Sequence, residues 1–219
     1  MDTIRKYTTK YNKYTLWIAL LCTQLLVSHI TKASPIMTVI AILGAISAIA
    51  SAEGWYITNP IFILYAAGAA WIAFQDNLFG DVAAMVISGF GSVVALFTWR
   101  KNLHKYTIKT QKMTHKQWWV IAGGAISIGL IAYFELWLLN AELPFLNAMV
   151  FTAVMLAELL FAHRYCETYI LEFIGDITLI LIWVLSGNWL LALTCLLDTA
   201  FAIYGLYNWR ELAAGKDKT

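Results

Sequence analysis

Apolar residues in this chain come in eight long runs, broken by short polar stretches. They lie near Leu16–Ile30, Pro35–Ala52, Trp55–Phe74, Leu78–Trp99, Trp118–Leu139, Phe145–Ala162, Thr168–Ser186 and Trp189–Tyr207. A bilayer core takes about 20 mostly apolar residues per helix, so each run predicts a transmembrane α-helix. None alternates with the period of two that a half-buried strand requires. Several links are only a few residues long, which predicts antiparallel hairpins. The first run is short and follows Arg5, Lys6, Lys10 and Lys13, as the apolar region of a secretory signal would. Ser28-His29-Ile30-Thr31-Lys32 is a poor cleavage site, so the run is expected to stay as a helix.

Composition fits that picture. Of 219 residues, 61% are hydrophobic and 13% charged, against about 25% charged in soluble domains. The chain is therefore read as an all-α integral membrane protein of about eight transmembrane helices. Cys22, Cys166 and Cys195 are odd in number, far apart and inside apolar runs; they read as small buried residues, with no zinc or disulfide spacing. Charge placement sets the orientation. With the N-terminus in the cytoplasm, every Lys and Arg except Lys32 falls on the cytoplasmic side. Both termini are thus expected inside, in a multi-pass protein of the cell (inner or plasma) membrane. The basic stretch Arg100–Lys116 is accounted for as a cytoplasmic loop beside anionic lipid, and no nucleic-acid partner is expected.

The chain also repeats itself. At an offset of 110 residues Trp99-Arg100 falls on Trp209-Arg210, Phe97 on Tyr207, Phe79 on Trp189, Trp55 on Tyr165 and Thr58 on Thr168. This predicts an arrangement 1 + 3 + 1 + 3. Residues 1–34 form a basic N-terminus and extra helix, 35–100 a first triple-helix repeat and 101–144 a basic loop and linker helix. Residues 145–210 form a second repeat and 211–219 a cytoplasmic tail. An even number of crossings separates the triplets, so they are parallel, as in carriers whose substrate path follows the repeat interface. Gly44, Ala48 and Ala52 make a small-residue ridge suited to close helix packing.

Candidate chemistry lies in the second triplet. Glu158, Glu172, Asp176 and Asp198 all fall inside apolar runs. An acid at a span centre costs about 2.5–3.5 kcal/mol, and an interhelical hydrogen bond returns only about 0.6 kcal/mol. The four are expected to face a wet cavity, a partner or the bundle interior. Glu158 or Asp198 taken singly is also accounted for by a helix-packing hydrogen bond. Tyr169, Glu172, Asp176 and Trp183 share one face of the seventh helix. At 1.5 Å per residue Asp176 lies about 12 Å from its cytoplasmic end, and Asp198 reaches a similar depth. Two carboxylates and two rings on one face suit a ligand with hydroxyl or N–H donors at one end and a flat ring at the other. Asn59, the repeat mate of Tyr169, and Glu158 are expected to complete the site. No hydrolase, metalloprotease or phosphate-loop motif occurs. Neither enzyme activity, a cofactor nor a metal is expected.

The stretch from His163-Arg164-Tyr165-Cys166-Glu167 through Trp189 to Gly205-Leu206-Tyr207-Asn208-Trp209 resembles the PnuC family of nicotinamide riboside transporters. The resemblance covers roughly residues 35–212. It implies a SWEET-related fold, a homotrimer and facilitated diffusion, with substrate trapped by cytoplasmic phosphorylation. The family's substrate helix reads Trp-x-x-Trp-x-x-x-Asn or Asp, and the matching positions here are Tyr169, Glu172 and Asp176. Glu172 removes one wall of an aromatic clamp and adds an acceptor. The expected function is therefore uniport of a nucleoside (a ribonucleoside, deoxyribonucleoside or relative of nicotinamide riboside) into the cytoplasm. Thiamine or another vitamin, proton-coupled symport through Asp176 or Asp198, and a non-transporting scaffold are the alternatives.

Overall fold

The structure is a computed structural model describing residues 2–75, 79–187 and 189–215. Leu78, Lys216 and Lys218 lie outside the described residues. Among the described residues eight helices follow in order: α1 Asp2–Ile30, α2 Pro35–Ala52, α3 Thr58–Gln75, α4 Phe79–Arg100, α5 His115–Leu138, α6 Pro144–Ala162, α7 Thr168–Leu185 and α8 Trp189–Ala213. A two-stranded hairpin, β1 Leu103–His104 and β2 Thr107–Ile108, sits between α4 and α5.

Local signals explain where several helices begin. The Ser34 hydroxyl accepts from the Met37 N–H ahead of Pro35, which has no N–H to leave unpaired. Thr114 and Gln117 form a reciprocal capping box at α5. α6 opens on Pro144. The turns between α2 and α3 and between α6 and α7 match position for position. Each has one left-handed residue, Gly54 at φ 70° and Arg164 at φ 64°. Arg164 is held in that conformation through its backbone carbonyl and its side chain. Its carbonyl accepts from the Gln111 N–H at 2.9 Å, and its guanidinium donates to the Lys109 carbonyl at 2.6 Å.

α3 packs between α2 and α4, and α7 between α6 and α8. The two groups meet along two seams, α4 against α6 and α2 against α8. The hydrogen bonds across those seams are reciprocal. The Trp99 indole N–H donates to the Phe161 carbonyl at 3.1 Å, and that of Trp209 donates to the Ser51 carbonyl at 2.9 Å. The Thr98 hydroxyl donates to the Ala162 carbonyl at 2.6 Å, and the Asn208 amide to the Ala52 carbonyl at 2.8 Å. In each pair, donor and acceptor shift by the same 110 residues and exchange sides, which is how an isologous, two-fold-like contact behaves. α1 lies against α2 and α8, and α5 lies against α6.

Observed ends follow the expected runs closely, with three differences. α1 begins at Asp2 and α8 continues to Ala213, because polar residues beyond an apolar run can still extend a helix. Trp55 sits in a turn, not in α3. The basic stretch after α4 is an ordered strap and not a bare loop. Ile108 is buried and donates its N–H to the Gly54 carbonyl at 3.0 Å. Further along, the Cys166 N–H donates to the Gln111 carbonyl at 3.0 Å. The strap thus pairs with both turns.

α2, α5, α6, α7 and α8 from Leu191 are long and apolar enough to cross a membrane, and the apolar part of α4, from Ala84, is shorter. Large apolar side chains such as Phe90, Phe97 and Trp119 point outward, as lipid contact requires.

Candidate functional site

A cavity of about 260 Å³ lies between the two helix groups. Its acidic wall comes from α6, α7 and α8, which contribute Glu158, Glu172, Asp176 and Asp198. Facing them from α2, α3 and α4 are Ser47, Ser51, Thr58, Ser92 and the ring of Phe62. No Lys, Arg or His is among the described residues lining it. The site is therefore rich in acceptors and hydroxyls and holds no cation of its own.

Each acid has a distinct setting. Glu158 reaches across its seam to α4, where the Ser88 hydroxyl bonds to it. A Cβ at Gly91 would lie 2.9 Å from its Oε2, so α4 is notched at that point to receive the carboxylate. Glu172 lies within electrostatic reach of Asp176, Glu158 and Asp198. Tyr169 forms the floor. Its hydroxyl lies 3.0 Å from that of Ser51, and its ring meets Trp209 edge-on at 5.2 Å. Beneath it Trp99, Phe161 and Trp209 pack ring against ring at 4.7 to 5.7 Å and close that end of the bundle.

Of the residues singled out from sequence, Tyr169, Glu172, Asp176, Asp198 and Glu158 line this cavity. Two do not. Trp183 lies two helical turns beyond Asp176, and its indole meets the Cys195 thiol on α8. Asn59 is fully buried at the start of α3, where its amide donates to the Tyr56 carbonyl at 3.4 Å. The first group contributes Phe62 instead, one turn further along α3. The repeat could have found it, since Phe62 stands 110 positions before Glu172. An apolar residue in an apolar helix gave no other signal.

Apolar spanning helices around an acid-lined interior define a multi-pass membrane protein with a polar cavity at its middle. Residues 34–211 match the family model described as nicotinamide mononucleotide transporter, and the chain belongs to that family, one of membrane transporters and not of enzymes. It is 24% identical over 174 residues to the nicotinamide riboside transporter PnuC of Neisseria mucosa, an alignment covering 71% of this chain. The match takes in 65% of that relative, so the chain spans just under two thirds of its length. The crystal structure of the vitamin B3 transporter PnuC has a similar fold. Its TM-score is 0.77 at 18% sequence identity, with 94% of this chain and 93% of that chain covered.

Proposed function

We propose that the chain is a uniporter carrying a nucleoside-class solute into the cytoplasm, with trapping by cytoplasmic phosphorylation. The observation that carries this reading is the cavity's composition: four carboxyl groups and four hydroxyls face each other, and none of the described lining residues is a Lys, Arg or His. Glu172 and Asp176 accept hydrogen bonds from sugar hydroxyls or base N–H groups. Phe62 and Tyr169 offer ring faces, while Glu158 and Asp198 bound the site at the two seams. The relatives' named substrates, nicotinamide riboside and vitamin B3, belong to the same chemical neighbourhood.

The membrane arrangement we infer is 1 + 3 + 1 + 3 with parallel repeats. α2 and α4 both end beside the hairpin strap, so α3 crosses away from it and α4 crosses back. Described basic residues collect at the strap end, which supports cytoplasmic termini. A homotrimer belongs to the same reading through the family.

A second reading, a cationic vitamin such as thiamine, is favoured by the uncompensated acids. Uptake into proteoliposomes separates the two. Labelled nucleosides, nicotinamide riboside and thiamine are offered in turn, with and without a pH gradient. Equilibration of a nucleoside without a gradient is expected. Accumulation of thiamine alone, or uptake unchanged by Glu172→Gln with Asp176→Asn, would defeat the nucleoside site as drawn.

A further inference from the structure

A second cavity of about 560 Å³ reaches from the end opposite the strap, near Met37 and Ala73, down to Asp198. It shares Gly44, Ala48, Phe62 and Asp198 with the central cavity. We propose that this second cavity is the access vestibule through which a donor-bearing, ring-containing solute reaches the central site, and that Asp198 and Phe62 frame the port between them. The proposal rests on the transport reading for its purpose, but its geometry can be tested without transport.

Three observations converge on it. The strap end is sealed by the buried rings of Trp99, Phe161 and Trp209. A third groove of about 750 Å³, between α5, α6 and α7, shares no residue with the central cavity. The two seams also differ in a way the repeat makes plain. Along α4 and α6, Glu158 fills the Gly91 notch and bonds Ser88, so that seam is plugged. In the repeat-related places along α2 and α8 stand Ala48 and Asp198. Phe201 stands there in the place of Gly91, so no notch recurs for a carboxylate to fill; Ala48 and Asp198 instead line both cavities, and the port lies beside them. α1 then acquires a role, since Leu20 and Gln24 form one wall of the vestibule. Tyr65 lies across from them, and its ring is seated so closely on Gly44 that a Cβ there would meet it at 2.8 Å.

Cysteine accessibility tests this on the full chain in oriented proteoliposomes, in a Cys22→Ser background because Cys22 is exposed. A charged, membrane-impermeant thiol reagent is added from the face opposite the strap. Ala69→Cys, in the vestibule, is expected to react at least about tenfold faster than Leu64→Cys, which faces outward on the same helix, because only a hydrated thiol forms thiolate readily. Ser92→Cys in the central cavity is expected to react as well, and to be protected when Gly44→Val narrows the port while Ala69→Cys stays reactive. Phe62→Trp serves the same purpose if Gly44→Val does not fold. Equal rates at Ala69→Cys and Leu64→Cys would mean a dry or lipid-filled groove and would overturn the proposal. So would Ser92→Cys labelling that ignores both port variants. Failure of all solute uptake with this labelling pattern intact would count against the transport reading and leave the vestibule standing.

Discussion

The hydroxyls of Tyr169 and Ser51 meet at 3.0 Å although 118 positions separate them in the chain. That contact joins α7 to α2 directly beneath the acids. Ser51 also receives the Trp209 indole on its carbonyl at 2.9 Å, so one small residue anchors two rings of the opposite group. Its repeat mate, Phe161, receives Trp99 in the same way. The two halves of the closure thus divide their volume differently, with Tyr169 and Ser51 on one side and Asn59 and Phe161 on the other.

Gly205 is the residue that makes room for this floor. A Cβ there would fall 2.5 Å from the Tyr169 ring, which is itself enclosed. Gly205→Ala is therefore expected to destabilise the protein by about 1–3 kcal/mol through overpacking, seen as a lower melting temperature in detergent. Gly123 has no atom within 4 Å of an added Cβ. Gly123→Ala should be neutral, or stabilising by up to about 1 kcal/mol through helix propensity. Equal effects at the two glycines would contradict the packing described here.

The reciprocal indole bonds make a second prediction. Trp99→Phe or Trp209→Phe keeps a ring and removes one buried hydrogen bond, while the Phe161 and Ser51 carbonyls still accept from the Arg164 and Gly54 N–H groups, at a cost of about 0.5–1.5 kcal/mol each. Because Trp99 and Trp209 touch at 5.6 Å, the double variant should depart from additivity. Melts of the four proteins in the cycle measure that coupling, and strict additivity would show that the two bonds do not belong to one cluster.

The helices were legible because the apolar runs mark their apolar cores; α2 at Pro35–Ala52 coincides with its run, whereas α1 and α8 extend past theirs into polar residues. Trp99-Arg100 and Trp209-Arg210 stood out at a fixed offset of 110 residues, and their indoles make equivalent bonds. The strap was not legible. Its order comes from pairing with Gly54 and Arg164, far away in sequence, and a run of lysines carries no local trace of that. Helical spacing placed Glu172 and Asp176 correctly on one face, yet it could not say which neighbour that face meets. Trp183, on the same face, meets α8 at Cys195, and Phe62 takes a place in the cavity that nothing in its own helix marks.

Cys166 gives a prediction about protonation outside the spans. Burial, and then the Glu167 carboxylate beside it, push its thiol up to about 11. The thiolate is the reactive form, so at pH 8 the folded protein should leave Cys166 unalkylated. Raising the pH toward 11 should increase its reactivity steeply, and unfolding should expose it at any alkaline pH. Mass spectrometry after timed alkylation reads this out. Rapid modification of Cys166 at pH 8 in the folded state would mean that the turn between α6 and α7 opens.

Placement of the rings leads to the last prediction. If Phe62 is a wall of the binding cavity and Trp183 is not, trimming each should separate binding from packing. Phe62→Ala removes a ring face worth about 0.5–1.5 kcal/mol to a stacked ligand, so ligand affinity should fall roughly two- to thirteenfold. Trp183→Phe should leave affinity unchanged, because its indole contacts Cys195 and not the cavity. Glu172→Gln should weaken binding further than Phe62→Ala, since an amide N–H₂ set against the ligand's own donors leaves buried groups unsatisfied, at about 1–3 kcal/mol. Ligand-induced shifts in melting temperature, which follow affinity by mass action, rank the three variants against the unmodified chain. The arrangement requires the order Glu172→Gln, Phe62→Ala, Trp183→Phe from largest loss to none. A loss at Trp183→Phe equal to that at Phe62→Ala would move the ring-binding wall from α3 to the far half of α7.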